Sequence, residues 1–71
     1  MSLKDRFINE ASFIGTPQII SVAVKLPSGA IEVITNTQET NSKVDYYVNT
    51  YDHEFRLKHN NQIQIVGYML V

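Results

Sequence analysis

Between Ile19 and Thr35 the chain alternates residue types, pauses at Pro27-Ser28-Gly29-Ala30, and alternates again. Ile20, Val22, Val24 and Leu26 interleave with Ile19, Ser21, Ala23 and Lys25, the period of two expected of a half-buried strand. Pro27 presets φ for a type I turn, and Gly29 accepts a positive φ. The segment therefore predicts a β-hairpin. Loop length decides its register, and a one-residue slip swaps the faces of the second strand. A four-residue loop, Pro27–Ala30, pairs Leu26 with Ile31, Lys25 with Glu32, Val24 with Val33 and Ala23 with Ile34. Each such pair is favourable by about 0.2–1 kcal/mol. A three-residue loop sets Val24 against Glu32, so the four-residue loop is the expected one.

Helical spacing flanks the hairpin on both sides. Leu3, Phe7, Ala11 and Ile14 recur on one face, with Ile8 beside them. Ser2 followed by Asp5 fits a capping box. Gly15 and Pro17 supply a stop, which places a helix near residues 3–13. Farther on, Val44, Tyr47, Val48, Tyr51 and Phe55 share a second helical stripe, and Ser42-Lys43-Val44-Asp45 again reads as a capping box. This helix is expected over residues 43–52, with its reach to Phe55 left open by the weakly helical Asp52-His53-Glu54. Asn36–Asn41 is a polar connector, and His59-Asn60-Asn61 is a turn.

The last segment, Gln62–Val71, alternates as a strand. Ile63, Ile65, Gly67, Met69 and Val71 form one face; Gln62, Gln64, Val66, Tyr68 and Leu70 form the other. The order is α-β-β-α-β. A right-handed crossover returns the third strand beside the first. The expected fold is thus α+β: a three-stranded antiparallel sheet of order 2-1-3, with two helices packed mainly on one face. The core face carries Val22, Val24, Leu26, Ile31 and Val33. The opposite face carries Ile19, Ser21, Ala23, Lys25, Glu32 and Ile34, joined by Val66, Tyr68 and Leu70.

Length matters once a surface is left over. With 71 residues there is room for one small α+β domain, whose single core rarely supplies more than ~3–5 kcal/mol. No cysteine is present, so neither disulfides nor thiolate metal sites compensate. Self-association is the remaining device. The uncovered face is a mixture of a Lys-Glu pair, a serine and an apolar cluster, and such a cluster marks a partner surface. Ala23, Ile34, Val66, Tyr68 and Leu70 are its candidate residues. The partner is expected to be a second copy, a dimer above all, or another protein. The second and third strands are the sheet's edges, and the third carries no charge or proline to blunt it.

Other classes find less support. Six basic against seven acidic residues give a net charge of −1, which argues against a nucleic-acid or anionic-membrane surface. Lys25, Arg56, Lys58 and Tyr68 are the candidates if nucleic acid is bound after all. Tyr47 and Tyr51 lie on the apolar helix stripe and are assigned to packing. Asp52, His53, Glu54 and His59 match no metal spacing, and no serine sits in a nucleophile elbow beside a histidine. A chain this short has little room for a pocket of ~300 Å³ or more. The expectation is therefore no enzyme, no metal and no cofactor. No apolar run approaches the roughly 20 residues of a membrane span, and the first residues lack a signal peptide's apolar core, so a cytoplasmic location is expected. Met1-Ser2-Leu3 carries no functional weight. The Asn and Ile richness and the lack of cysteine resemble the accessory proteins of AT-rich bacteria or their phages, a likeness of composition only.

Overall fold

A computed structural model describes residues 1–71. Its elements are α1 (Leu3–Ile14), β1 (Ile20–Lys25), β2 (Ile31–Asn36), α2 (Thr40–Thr50), β3 (Arg56–Leu57) and β4 (Asn60–Leu70). The strands form one antiparallel sheet of order β2-β1-β4-β3. The α+β class and the return of the last long strand beside β1 agree with the sequence. The strand count does not: there are four strands and not three. The additional one, β3, is two residues long and carries no periodicity to reveal it.

α1 starts where its cap says it should. Ser2 Oγ accepts the Asp5 N–H at 3.1 Å, and an Asp5 carboxylate oxygen accepts the Ser2 N–H at 3.3 Å. Gly15 ends the helix at φ 85°. Leu3, the first residue of the helix, packs against the core.

α2 begins at Thr40, ahead of the expected Ser42 cap. Its N-cap is Glu39, with φ 51° and no side-chain capping bond. Thr40 is buried, and its hydroxyl donates to the Pro17 carbonyl. A tertiary bond to the α1–β1 connector thus anchors this end, in place of a local box. The helix stops at Thr50, short of Phe55. Asp52 then turns the chain: its Oδ1 accepts the Glu54 and Arg56 N–H groups, both at 2.9 Å. Phe55 sits at φ 61° and only 1 % exposed. Hydrophobic burial holds a phenylalanine in a conformation that glycine prefers.

The hairpin register differs from expectation by one residue. Val24 lies opposite Glu32, Ala23 opposite Val33 and Val22 opposite Ile34. Leu26 N–H bonds to the Ala30 carbonyl at 2.8 Å, and Gly29 N–H to the Leu26 carbonyl at 2.9 Å. The loop is therefore Pro27-Ser28-Gly29, a type I turn followed by Gly29 at φ 89°. Turn geometry outweighs the cross-strand pairs. Glu32 is exposed, so pairing it with Val24 leaves its charge in water. The slip puts Ile31 and Val33 on the face away from the helices, and Glu32, Ile34 and Asn36 on the helix side. Asn36 confirms the assignment by donating from Nδ2 to the Tyr47 hydroxyl at 3.1 Å.

β4 contains a second shift of phase. Ala23 faces Gly67 but Val24 faces Ile65, so Val66 is an extra residue, a bulge. Before it Ile65 points into the core; after it Tyr68 and Leu70 do, while Gly67 and Met69 turn outward. An uninterrupted alternation puts Ile65 and Met69 on one face; the bulge separates them.

Phe7 is the centre of the core. Its ring meets Tyr68 at 5.4 Å, Phe55 at 5.5 Å and Tyr47 at 6.1 Å, each edge to face. Ile20, Val22, Val24, Tyr51 and Ile65 complete the buried cluster. Both helices lie on this side of the sheet, and none covers the other.

Candidate interaction surface

The uncovered side is the outer face of β2, β1 and β4. β1 contributes Ser21, Ala23 and Lys25, all turned away from the buried Val22 and Val24. β2 contributes Ile31 and Val33, exposed by 55 % and 65 %. β4 contributes Gly67 and Met69, the latter 52 % exposed. Small residues in the middle make this face concave. A Cβ at Gly67 would stand 3.8 Å from the Cβ of Ala23, so the two strands meet there with almost no side chain between them. The hollow is shallow, about 210 Å³, and Val33 and Met69 are its apolar rim. Ser21 and Thr35 close one end with a hydroxyl–hydroxyl bond of 3.0 Å.

The other end of the same face is basic. Lys25 lies opposite Gln64, and Gln64 lies opposite Arg56 on its other side. Lys25, Gln64 and Arg56 therefore form one cross-strand row. Gln64 is held in place by donating from Nε2 to the Glu54 carbonyl at 3.1 Å.

The candidates named from sequence are divided by this geometry. Ala23 is on the uncovered face, at its centre. Val66 is the exposed bulge residue. Ile34 is on the helix side of β2, 40 % exposed beyond the reach of the helices. Tyr68 and Leu70 are half-buried against the core. Burial raises the Tyr68 hydroxyl above its ordinary pKa, with Glu10 beside it adding to the shift. Of the nucleic-acid candidates, Lys25 and Arg56 share a row, Lys58 stands in the β3–β4 turn, and Tyr68 faces the other way. Ile31, Val33 and Met69 were missed for a single reason: the loop length and the bulge each change parity, and no pattern of apolar residues reports either.

A larger concavity of about 410 Å³ separates α1 from α2, so, against expectation, the short chain does leave room for a hollow of more than ~300 Å³. Ile8, Ala11, Val44 and Val48 line it, with Ser12 and one carboxylate, Asp45. Asp45 is the one titratable side chain in this lining, with no histidine, lysine or arginine beside it, so the groove offers no acid–base pair. No group of three or more His, Asp or Glu side chains gathers anywhere. His53 and Glu54 form an exposed contact of 3.7 Å, while Asp52 is occupied by the backbone. Those two amides, that of Arg56 first, hold the Asp52 carboxyl below its ordinary pKa. No helix is long and apolar enough to cross a membrane.

No protein-family model matches the chain, and no curated protein or solved structure is significantly similar to it.

Proposed function

We propose that this protein is a small non-enzymatic interaction module of the cytoplasm, binding another macromolecule through the bare sheet face and the β2 edge. One observation carries this reading: Val33 and Met69 stand exposed around a hollow floored by Ala23 and Gly67, on a face no helix covers. An antiparallel sheet that leaves one face to water normally makes that face polar. An apolar, concave one is a surface in want of a partner.

The test compares partner capture from cell extract by the wild-type chain, by Met69→Glu on the face, and by Ile8→Glu in the interhelical groove. The reading expects a partner that survives high salt, is retained by Ile8→Glu and is lost by Met69→Glu. The same partner on Met69→Glu overturns it. The row Lys25, Gln64 and Arg56 supports a second reading, a nucleic-acid-binding accessory protein. That reading expects an electrophoretic shift with steep salt dependence, reduced by Lys25→Ala and Arg56→Ala.

A further inference from the structure

We propose that the β2 edge pairs with the β2 edge of a second copy of this chain, antiparallel and centred on Val33. The inference rests on the interaction-module reading, and specifies the partner at one part of that surface.

The two edges of the sheet differ in kind. Opposite β2, the edge is β3 only as far as Gln64, two residues with a register shift and with Arg56 and Lys58 beside them; from Val66 to Leu70 it is β4 itself, which the Val66 bulge bends. This is how natural sheets discourage pairing. β2 runs six residues without a proline, a lysine or a bulge, and its one charge is Glu32.

The hydrogen-bond phase of β2 is determined by its hairpin. Leu26 N–H bonds to the Ala30 carbonyl, so Leu26 and Ala30 are a bonded pair. Bonded and non-bonded pairs alternate along an antiparallel ladder. Glu32, Ile34 and Asn36 therefore direct their backbone groups to β1. Ile31, Val33 and Thr35 direct theirs out of the sheet, where nothing in the chain meets them.

A second β2 satisfies that pattern in one register. With Val33 opposite Val33 of the second copy, Ile31 falls opposite Thr35 and Thr35 opposite Ile31. All three outward residues of each copy then meet outward residues of the other. Glu32 falls opposite Ile34. Moving the centre one step toward the turn, so that Ile31 faces Val33, brings Glu32 opposite Glu32, two like charges at short range. Moving it one step the other way, so that Val33 faces Thr35, leaves Ile31 opposite Thr37, beyond the end of the strand; only the Val33-centred register pairs all three outward residues without a like-charge contact. The two-fold axis stands perpendicular to the sheet, and the interface is isologous. Both pairs of helices stay on one side, and the two bare faces become one. Edge pairing extends the proposed binding face and leaves it open.

An edge of six residues a side falls below the ~1,200 Å² of a stable interface, so the dimer belongs to the micromolar range. Light scattering from about 10 μM to about 1 mM should show the mass rising from 8.1 kDa toward twice that value. Val33→Pro removes one outward N–H and no bond to β1, at an edge position that tolerates proline. It should keep the wild-type circular dichroism and remain monomeric throughout. Amide exchange of the wild type gives the same answer without a variant. Ile31, Val33 and Thr35 should gain roughly tenfold protection across that concentration range, while Glu32 and Ile34 stay constant. A wild type monomeric at the top of the range overturns the inference. So does a folded Val33→Pro that still dimerises, or exchange at the three outward amides that ignores concentration. The face reading stands or falls separately, on Met69→Glu.

Discussion

The ammonium of Lys4, in the first turn of α1, donates to the Tyr51 carbonyl at 2.6 Å and to the Val48 carbonyl at 2.7 Å. These carbonyls end α2, where no basic residue of the helix's own last turn is present. A lysine from one helix thus caps the other and neutralises its negative end. Burial lowers the Lys4 pKa, and Lys58 lowers it further, which reduces the net gain. Lys4→Met should cost about 1 kcal/mol, the ordinary value of such a cap. Urea denaturation measures it, and an unchanged midpoint contradicts the role.

Phe7 and Phe13 separate packing from exposure on a single helix. Phe7 is fully buried among three aromatic rings, whereas Phe13 is 93 % exposed. Phe7→Ala should cost about 3–5 kcal/mol, comparable with the whole stability of a domain this small. It is expected to leave the chain largely unfolded by circular dichroism. Phe13→Ser should change the unfolding free energy by no more than about 0.5 kcal/mol. Equal effects from the two would mean that α1 presents a different face to the sheet.

Much of this fold is written in patterns of apolar residues, and what is not written there is written in backbone geometry. Phe7 and Ala11 on α1, the alternating residues of β1 and Tyr47 on α2 are buried as their spacing selects, whereas Tyr51 and Phe55 reach the core from beyond the end of the helix. The register of β2 is different. It depends on Gly29 occupying the third loop position at positive φ, and cross-strand pairs of ~0.2–1 kcal/mol point the other way. The bulge at Val66 is similar, because inserting one residue changes every facing downstream without altering composition. These two parity changes decide the candidate surface. An uncovered face was legible from counting helices, and so were its β1 residues Ser21, Ala23 and Lys25; those of β2 and β4 were not.

Asp52 links the end of α2 to β3 through its carboxylate, and this turn should be sensitive to acid. Its folded pKa lies below the unfolded value of 3.8 because the Arg56 and Glu54 amides favour the charged form. The stabilisation is complete above the unfolded pKa and is lost as pH falls through the folded one. Asp52→Asn keeps an oxygen able to accept both amides but cannot titrate. Melting temperature followed from pH 6 down to about pH 2 should therefore decline less steeply in Asp52→Asn than in the wild type. Parallel curves would remove Asp52 from the acid response.

Gly29 and Phe55 hold the same place in two turns of the same design. In each, the residue three positions after the turn's start has positive φ and donates back to the first carbonyl: Gly29 to Leu26, Phe55 to Asp52, both at 2.9 Å. Opposite side-chain requirements predict opposite balances. At Gly29 an added Cβ meets nothing within 4 Å, so Gly29→Ala should cost only the left-handed backbone penalty, about 1–2 kcal/mol. At Phe55 the penalty is already present, and Phe55→Gly should recover about 1 kcal/mol of it. It also deletes a ring that is 1 % exposed and packed on Phe7 and Tyr51, at a cost of about 3–5 kcal/mol. The net expectation is a loss of roughly 2–4 kcal/mol, larger than for Gly29→Ala. Denaturant midpoints of the two variants decide it, and a Phe55→Gly more stable than Gly29→Ala would show that strain, not burial, dominates this turn.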